Sequence, residues 1–226
     1  MVRRAVDEQS TGSQAALEQL CQNCWYPIYA FIRRSGKSAE DAEDLCQGFF
    51  HRVLSARLFA AADPEKGKLR TFLLTCLKRY MADEHDRALA GKRGSGRVVD
   101  FSSLSAEEQY LAEPVDTTTP DRLYQRQWAL QIIASSMKSV ESTYRDEGKG
   151  DLFTALSPFL GFSQSTEPNY QDTADHLGLN LNTLKSHIRR LRERWKDEVM
   201  AQVAATLDDP TPEEIKAELR ELTGWV

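Results

Sequence analysis

The sequence predicts an all-α protein of two small helical domains joined by a flexible acidic linker. Three observations lead there: apolar residues recur at spacings of three and four along most of the chain, no alternating strand pattern or hairpin turn stands out, and an acidic stretch rich in Ser, Thr and Pro interrupts the periodicity. At 226 residues the chain exceeds one domain of the usual size, roughly 100–150 residues. The expected partition is residues 1–99, a linker over 100–122, and residues 123–226.

The first helix is expected from Ala15 to Arg34, where Leu17, Leu20, Cys24, Ile28 and Phe31 describe one face and Pro27 kinks or divides the run. Ser38 opens the second, because S-A-E-D sets a hydroxyl at the N-cap and carboxylates in the first turn, facing the positive end of the helix dipole. Leu45, Phe49, Val53 and Leu54 continue it, and the loop AADPEKGK ends the pattern with Asp63, Pro64 and Gly67. A third helix runs from Arg70 to about Leu89 on Phe72, Leu73, Leu77, Tyr80 and Met81. The run GKRGSGR after it has too many glycines for a helix and too many cations for burial. From Asp100 to Asp121 there are six acidic residues and no basic one, the composition of a tether. Helical spacing resumes at Leu123, Trp128, Ile132 and Ile133, then EGKG turns the chain into the apolar LFTALSPFLGF. Near the end, Thr211-Pro212-Glu213-Glu214 forms a capped helix start, with Ile215, Leu219 and Leu222 as its apolar stripe, packed on its own domain.

Composition narrows the function. A mean hydropathy of −0.52, and no apolar run near the roughly 18 residues that span a bilayer, exclude a membrane protein, and MVRRAVDEQSTGSQ carries no secretory signal, so a cytoplasmic location is expected. Cys21, Cys24, Cys46 and Cys76 include one C-x-x-C pair but no second pair at zinc-site spacing, and are expected as core fillers; no metal site, cofactor or catalytic residue is expected. The rival, an enzyme built around Cys21, Cys24, Cys76 and His85, lacks a complete catalytic constellation. The net charge of −5 conceals two basic patches: 14 Lys and Arg against 9 Asp and Glu over Arg33–Arg97, and 6 against 1 over Leu181–Lys196. Local patches, not the total, decide whether phosphate is attracted.

The segment YQDTADHLGLNLNTLKSHIRRLRERW has the pattern of a helix-turn-helix. Ala174 and Leu177 face inward on a first helix, Gly178 supplies the tight turn, and Leu179, Leu184, Ile188, Leu191 and Trp195 form the inner face of the second helix. The opposite face displays Asn182, Thr183, Lys185, Ser186, Arg189, Arg190 and Arg192. The start of such a helix enters a major groove and reads base edges, while the later arginines meet phosphate.

The first basic patch adds a second motif. DAEDLCQGFFHRVL followed by KGKLRTFLLTCLKRYMADEHDRALAGKRG resembles region two of bacterial RNA polymerase sigma factors of the extracytoplasmic-function class within the sigma-70 family, and Tyr170–Trp195 resembles their region four. Asp41, Ala42, Glu43, Asp44, Leu45, Gln47 and Phe50 match the family's D-A-E-D-L-x-Q-x-x-F; Thr183, Leu184, Lys185, Ser186, Ile188 and Arg190 match its recognition helix. The resemblance implies core-polymerase contacts from Asp41, Asp44, Leu45 and Gln47. It also implies minus-ten DNA contacts from Lys66, Lys68, Arg70, Phe72, Lys78, Arg79 and Tyr80, and minus-thirty-five contacts from Asn182, Thr183, Lys185, Ser186, Arg189 and Arg190. Gly48 departs from the family, which often has Glu there; Phe72 stands where Trp is common and Arg79 where Asn is common.

The implied function is a sigma factor that directs promoter-specific initiation, with core RNA polymerase and promoter DNA as partners and an anti-sigma factor or other regulator as a further one. In the family the linker threads the polymerase near template and RNA. The ending through ELRELTGWV resembles tails of sigma factors from planctomycete-type bacteria. The alternative is a stand-alone helix-turn-helix regulator that binds operator DNA without polymerase, which has no use for DAEDLCQGFF.

Overall fold

The computed structural model describes residues 11–55, 68–89, 103–113, 119–161 and 168–225. Among these it is all-α, with no strand: α1 Thr11–Arg34, α2 Ala39–Ser55, α3 Leu69–Leu89, α4 Ser103–Leu111, α5 Pro120–Asp146, α6 Gly150–Leu156, a 3₁₀ turn Ser157–Leu160, α7 Tyr170–His176, α8 Leu181–Ala205 and α9 Pro212–Thr223. The loop carrying Asp63, Pro64, Lys66 and Gly67, and the GKRGSGR run, lie outside the described residues. Two compact units divide the chain, one formed by Met1–Gln131 with Val203–Val226 and one by Ile132–Gln202.

In the first unit Ile28, Tyr29 and Ile32 of α1, Phe49 and Phe50 of α2, Leu73 and Leu77 of α3, and Leu123 and Tyr124 of α5 are buried. Aromatic contacts tie these helices together: Trp25 stacks on Phe50 at 5.4 Å, and Phe31 meets Tyr124 edge-on at 6.4 Å. Pro27 lies inside α1 without dividing it. The expected cap of α2 is present, since the Ser38 hydroxyl accepts from the Asp41 amide at 3.1 Å and donates to the Asp41 carboxylate at 2.8 Å.

Gly48 has a steric reason to depart from the resembling pattern. A Cβ there would overlap the Tyr80 hydroxyl of α3 and stand 3.3 Å from its Cζ. Tyr80 has little room to retreat, being buried with Phe49 at 5.9 Å on one side and the Arg52 guanidinium at 5.8 Å. Gly48→Ala is expected to lower stability by about 1–2 kcal/mol, as overpacking outweighs alanine's better helix propensity. In a Tyr80→Phe background the same change is expected to cost far less, as urea midpoints of the four chains would show.

The stretch expected as a flexible linker is in part a docked helix, α4 over Ser103–Leu111 with the turn after it, which corrects that expectation for these residues. Glu107 of α4 takes both Arg33 Nε and Nη2 at 2.8 Å and the Tyr29 hydroxyl at 2.6 Å, while Arg33 lies 4.8 Å over the Tyr110 ring. Glu113 accepts from the Tyr26 hydroxyl at 3.1 Å and from Gln127 at 2.5 Å. Acidic residues that suggest a solvated tether are here the partners of α1 and α5. The Arg33 hydrogen bonds hold the Glu107 carboxyl below the usual glutamate range against the opposing effect of burial, and Tyr29 adds to them. A folded pKa below the unfolded one stabilises fully above the unfolded value, about 4.3, and is lost as pH falls through the folded value. The stability gap between the wild type and Glu107→Gln, read from urea midpoints, is expected to be largest near neutrality and to close as the solution is acidified below about pH 4.

The last helix also departs from expectation. Its capping box is as the sequence predicts: Thr211 Oγ1 accepts from the Glu214 amide at 3.3 Å, Glu214 accepts from the Thr211 amide at 2.8 Å, and Pro212 starts the helix. Yet α9 belongs to the first compact unit, together with residues 123–131 and 203–211, and not to the unit of residues 132–202. Leu222 is buried and Ile215 and Leu219 half-buried, and the buried residue that the apolar stripe does not announce is Glu218.

In the second unit Val140 and Tyr144 of α5, Phe153 and Leu156 of α6, Phe159, Ala174 of α7, and Leu184, Ile188 and Leu191 of α8 make one core, with Leu177 and Trp195 packed against it. The turn between α7 and α8 needs Gly178, whose φ is +64°. Its geometry is closed by the Leu179 amide, which donates to the Ala174 carbonyl at 2.9 Å. Asn169 caps α7, and the Asn180 side chain accepts from the Thr183 amide at 2.8 Å at the start of α8.

Candidate nucleic-acid interface

The exposed side of α8 is set by its buried side. With Leu184, Ile188 and Leu191 fully buried, a 3.6-residue period puts Asn182, Ser186 and Arg189 on the opposite face, flanked by Lys185 and Arg190. Asn182, Lys185, Arg189 and Arg190 are exposed; Thr183 and Ser186 are half-buried, and the Ser186 hydroxyl donates to the Asn182 carbonyl at 2.9 Å. The short α7, the tight turn at Gly178 and the long α8 bring all six sequence-predicted residues of the segment to one end of α8. Arg192 is different. It is exposed, and its guanidinium donates to the Phe159 carbonyl at 2.8 Å, a contact within its own unit. Arg194, also exposed, pairs with Glu147 at 3.0 Å and lies 5.1 Å over the Tyr144 ring.

On α2, Asp41 and Asp44 are exposed, Leu45 and Gln47 half-buried. Burial of Ala42, Cys46, Phe49 and Val53 leaves Asp44 pointing away from the core, with Gln47 beside it and in loose hydrogen-bond contact with Glu43 at 3.4 Å. The Asp41 carboxylate accepts the cap hydroxyl of Ser38. The face thus offers carboxylate and amide acceptors around a half-buried apolar residue, a surface suited to a basic helix of a partner.

The predicted residues of α3 do not form a free cationic strip. Lys66 lies outside the described residues. Lys68 pairs with Glu218 at 2.6 Å and with Glu221. Arg70, only 2% exposed, donates to Glu218 at 2.6 Å through Nε and to Glu221 at 2.5 Å, and also bonds Gln125; the Tyr124 hydroxyl donates to its carbonyl at 2.9 Å. Burial alone would push the Lys68 ammonium down, but the hydrogen bonds to Glu218 and Glu221 outweigh it and hold the pKa above the ordinary value. Lys78 pairs with Asp121. Arg79 is exposed and Phe72 half-buried. Tyr80 is a core residue and not an open aromatic face; burial, then the Glu84 charge, push its hydroxyl up to about 12. Sequence reasoning missed Glu218 and Glu221, whose only local signal is the acidic character of α9, and Gln125 of α5, which carries none.

No group of three or more His, Cys, Asp or Glu side chains suited to a metal ion occurs among the described residues. The four cysteines are free thiols, and burial, then the nearby Cys21, raises the Cys24 thiol well above its ordinary value. A suppressed thiolate is a poor nucleophile or ligand. Among the described residues no helix is long and apolar enough to cross a membrane.

Comparison with known proteins gives one family: residues 27–89 match Sigma-70 region 2. No curated protein and no solved structure matches the chain. The matched segment runs from Pro27 in α1 through α2 to the end of α3, so it contains both the Asp44 face and the Lys68–Tyr80 group.

Proposed function

We propose that the chain, carrying a sigma-70 region 2 segment, works as a sigma factor of the extracytoplasmic-function class: it binds core RNA polymerase through Asp41, Asp44, Leu45 and Gln47 and directs initiation at promoters. The observation that carries this reading is the presence, in one chain, of the region 2 match and a second unit whose α8 exposes Asn182, Lys185, Arg189 and Arg190. Region 2 engages the polymerase and the minus-ten element; α8 engages the minus-thirty-five element in the major groove. The protein makes and breaks no covalent bond. Its work is positional, holding two stretches of promoter in register while the polymerase joins nucleotides.

Binding to core polymerase is the direct test. The purified chain is expected to co-elute with core enzyme and give promoter-specific transcripts, and Asp44→Ala is expected to weaken that association about ten-fold, the loss of one charged contact. A chain that binds duplex operator DNA as a dimer and ignores polymerase would sink the sigma reading in favour of a stand-alone regulator.

A further inference from the structure

We propose that α9 is a built-in acidic cover over the nucleic-acid-binding start of α3, seated in the free protein and displaced when single-stranded promoter DNA arrives. This rests on the sigma-factor reading of Lys68 and Arg70 as minus-ten contacts. Lys68 and Arg70 are enclosed by two carboxylates one helical turn apart, Glu218 and Glu221, at 2.5 to 2.6 Å for three of the four pairings. Carboxylate and phosphate oxygens are recognised by the same guanidinium fork and ammonium donors, so the cover and a nucleic-acid backbone compete for one set of donors. With α9 seated, Arg70 is out of reach of any outside ligand.

The seating is of a kind that can be undone. One apolar residue of α9, Leu222, is fully buried, while Ile215 and Leu219 are half-buried, so the ion pairs carry much of the attachment. Trp225 adds a contact with the Arg122 guanidinium, 5.9 Å over its ring. The connection from α8 is short and passes through Asp209, the one non-glycine residue with positive φ among the described residues, at +43°. Aspartate tolerates that region, and a single such residue lets the chain change direction sharply between the two helices. Half of the Glu221 side chain is open to solvent (46%), which gives an incoming phosphate a place to begin displacing the carboxylate.

The test uses the full chain and a fluorescein-labelled single-stranded DNA of about 12 nucleotides, within the span such strands occupy on a binding surface. Glu221→Gln is expected to bind it about five-fold more tightly than the wild type, the consequence of losing one charge-assisted competitor. Glu213→Gln removes the same formal charge from an exposed position of the same helix and controls for net charge. If Glu221→Gln gains no more than Glu213→Gln, the cover is refuted. A second measurement needs no variant: hydrogen exchange across residues 212–223 of the wild type is expected to speed up when the DNA is added, and unchanged or slower exchange refutes displacement. Core-polymerase binding by the wild type is scored separately, so loss of the sigma reading and loss of the cover are told apart.

Discussion

The double variant Arg189→Ala, Arg190→Ala is expected to keep its affinity for core polymerase and to lose most promoter-specific transcription. Both arginines are exposed on α8, and neither supports the core beneath them, which is built by Leu184, Ile188 and Leu191. On the function proposed for α8, removing two cations takes away phosphate contacts and, for a side chain that reaches a base edge, about 1–3 kcal/mol of discrimination. A loss of roughly 10- to 100-fold in transcript yield is therefore expected at moderate salt, shrinking at low salt where the remaining cations suffice. Run-off transcription with a minus-thirty-five promoter, beside a core-binding assay, separates the two effects. If core binding falls together with transcription, α8 is not an independent DNA grip.

The parts of this structure that were legible in the sequence are those set by near neighbours. Ser38 and Thr211 sit three residues before a carboxylate, and both cap their helices as that spacing requires. Leu184, Ile188 and Leu191 repeat at three and four, and the face opposite them is exposed. The rest turns on partners remote in the chain. Glu107 looks like part of a solvated tether until Arg33, 74 residues earlier, is placed beside it. Arg70 reads as one cation in a basic patch, because charge counting registers its sign and not its partner, and Glu218 lies 148 residues away. Tyr80 carries an aromatic ring in a basic segment, and only Gly48 on α2, with no side chain of its own, reveals that α3 packs close enough to bury it. Local periodicity identifies which face is covered; it does not identify what covers it.

That limit has its largest energetic consequence at Arg70. Substituting Arg70→Met is expected to destabilise the first compact unit by about 3 kcal/mol, because the remaining carboxylate of Glu218, 1% exposed, would be left in a buried site with a single half-open partner, Lys68. The buried pair need not be stabilising overall for this to hold: desolvating both ions offsets much of their attraction, and the penalty arises when one is removed and the other stays. A double variant separates the two effects. Arg70→Met with Glu218→Leu replaces both charges by apolar groups of similar length, and is expected to recover most of the loss, with residual cost from Gln125 and Glu221, which lose their guanidinium partner. The double-mutant cycle, read from urea unfolding, should show a coupling well above the roughly 0.5 kcal/mol within which independent sites add. Additive losses would mean that α9 is held by Leu222 and its neighbours alone, with the carboxylates as bystanders.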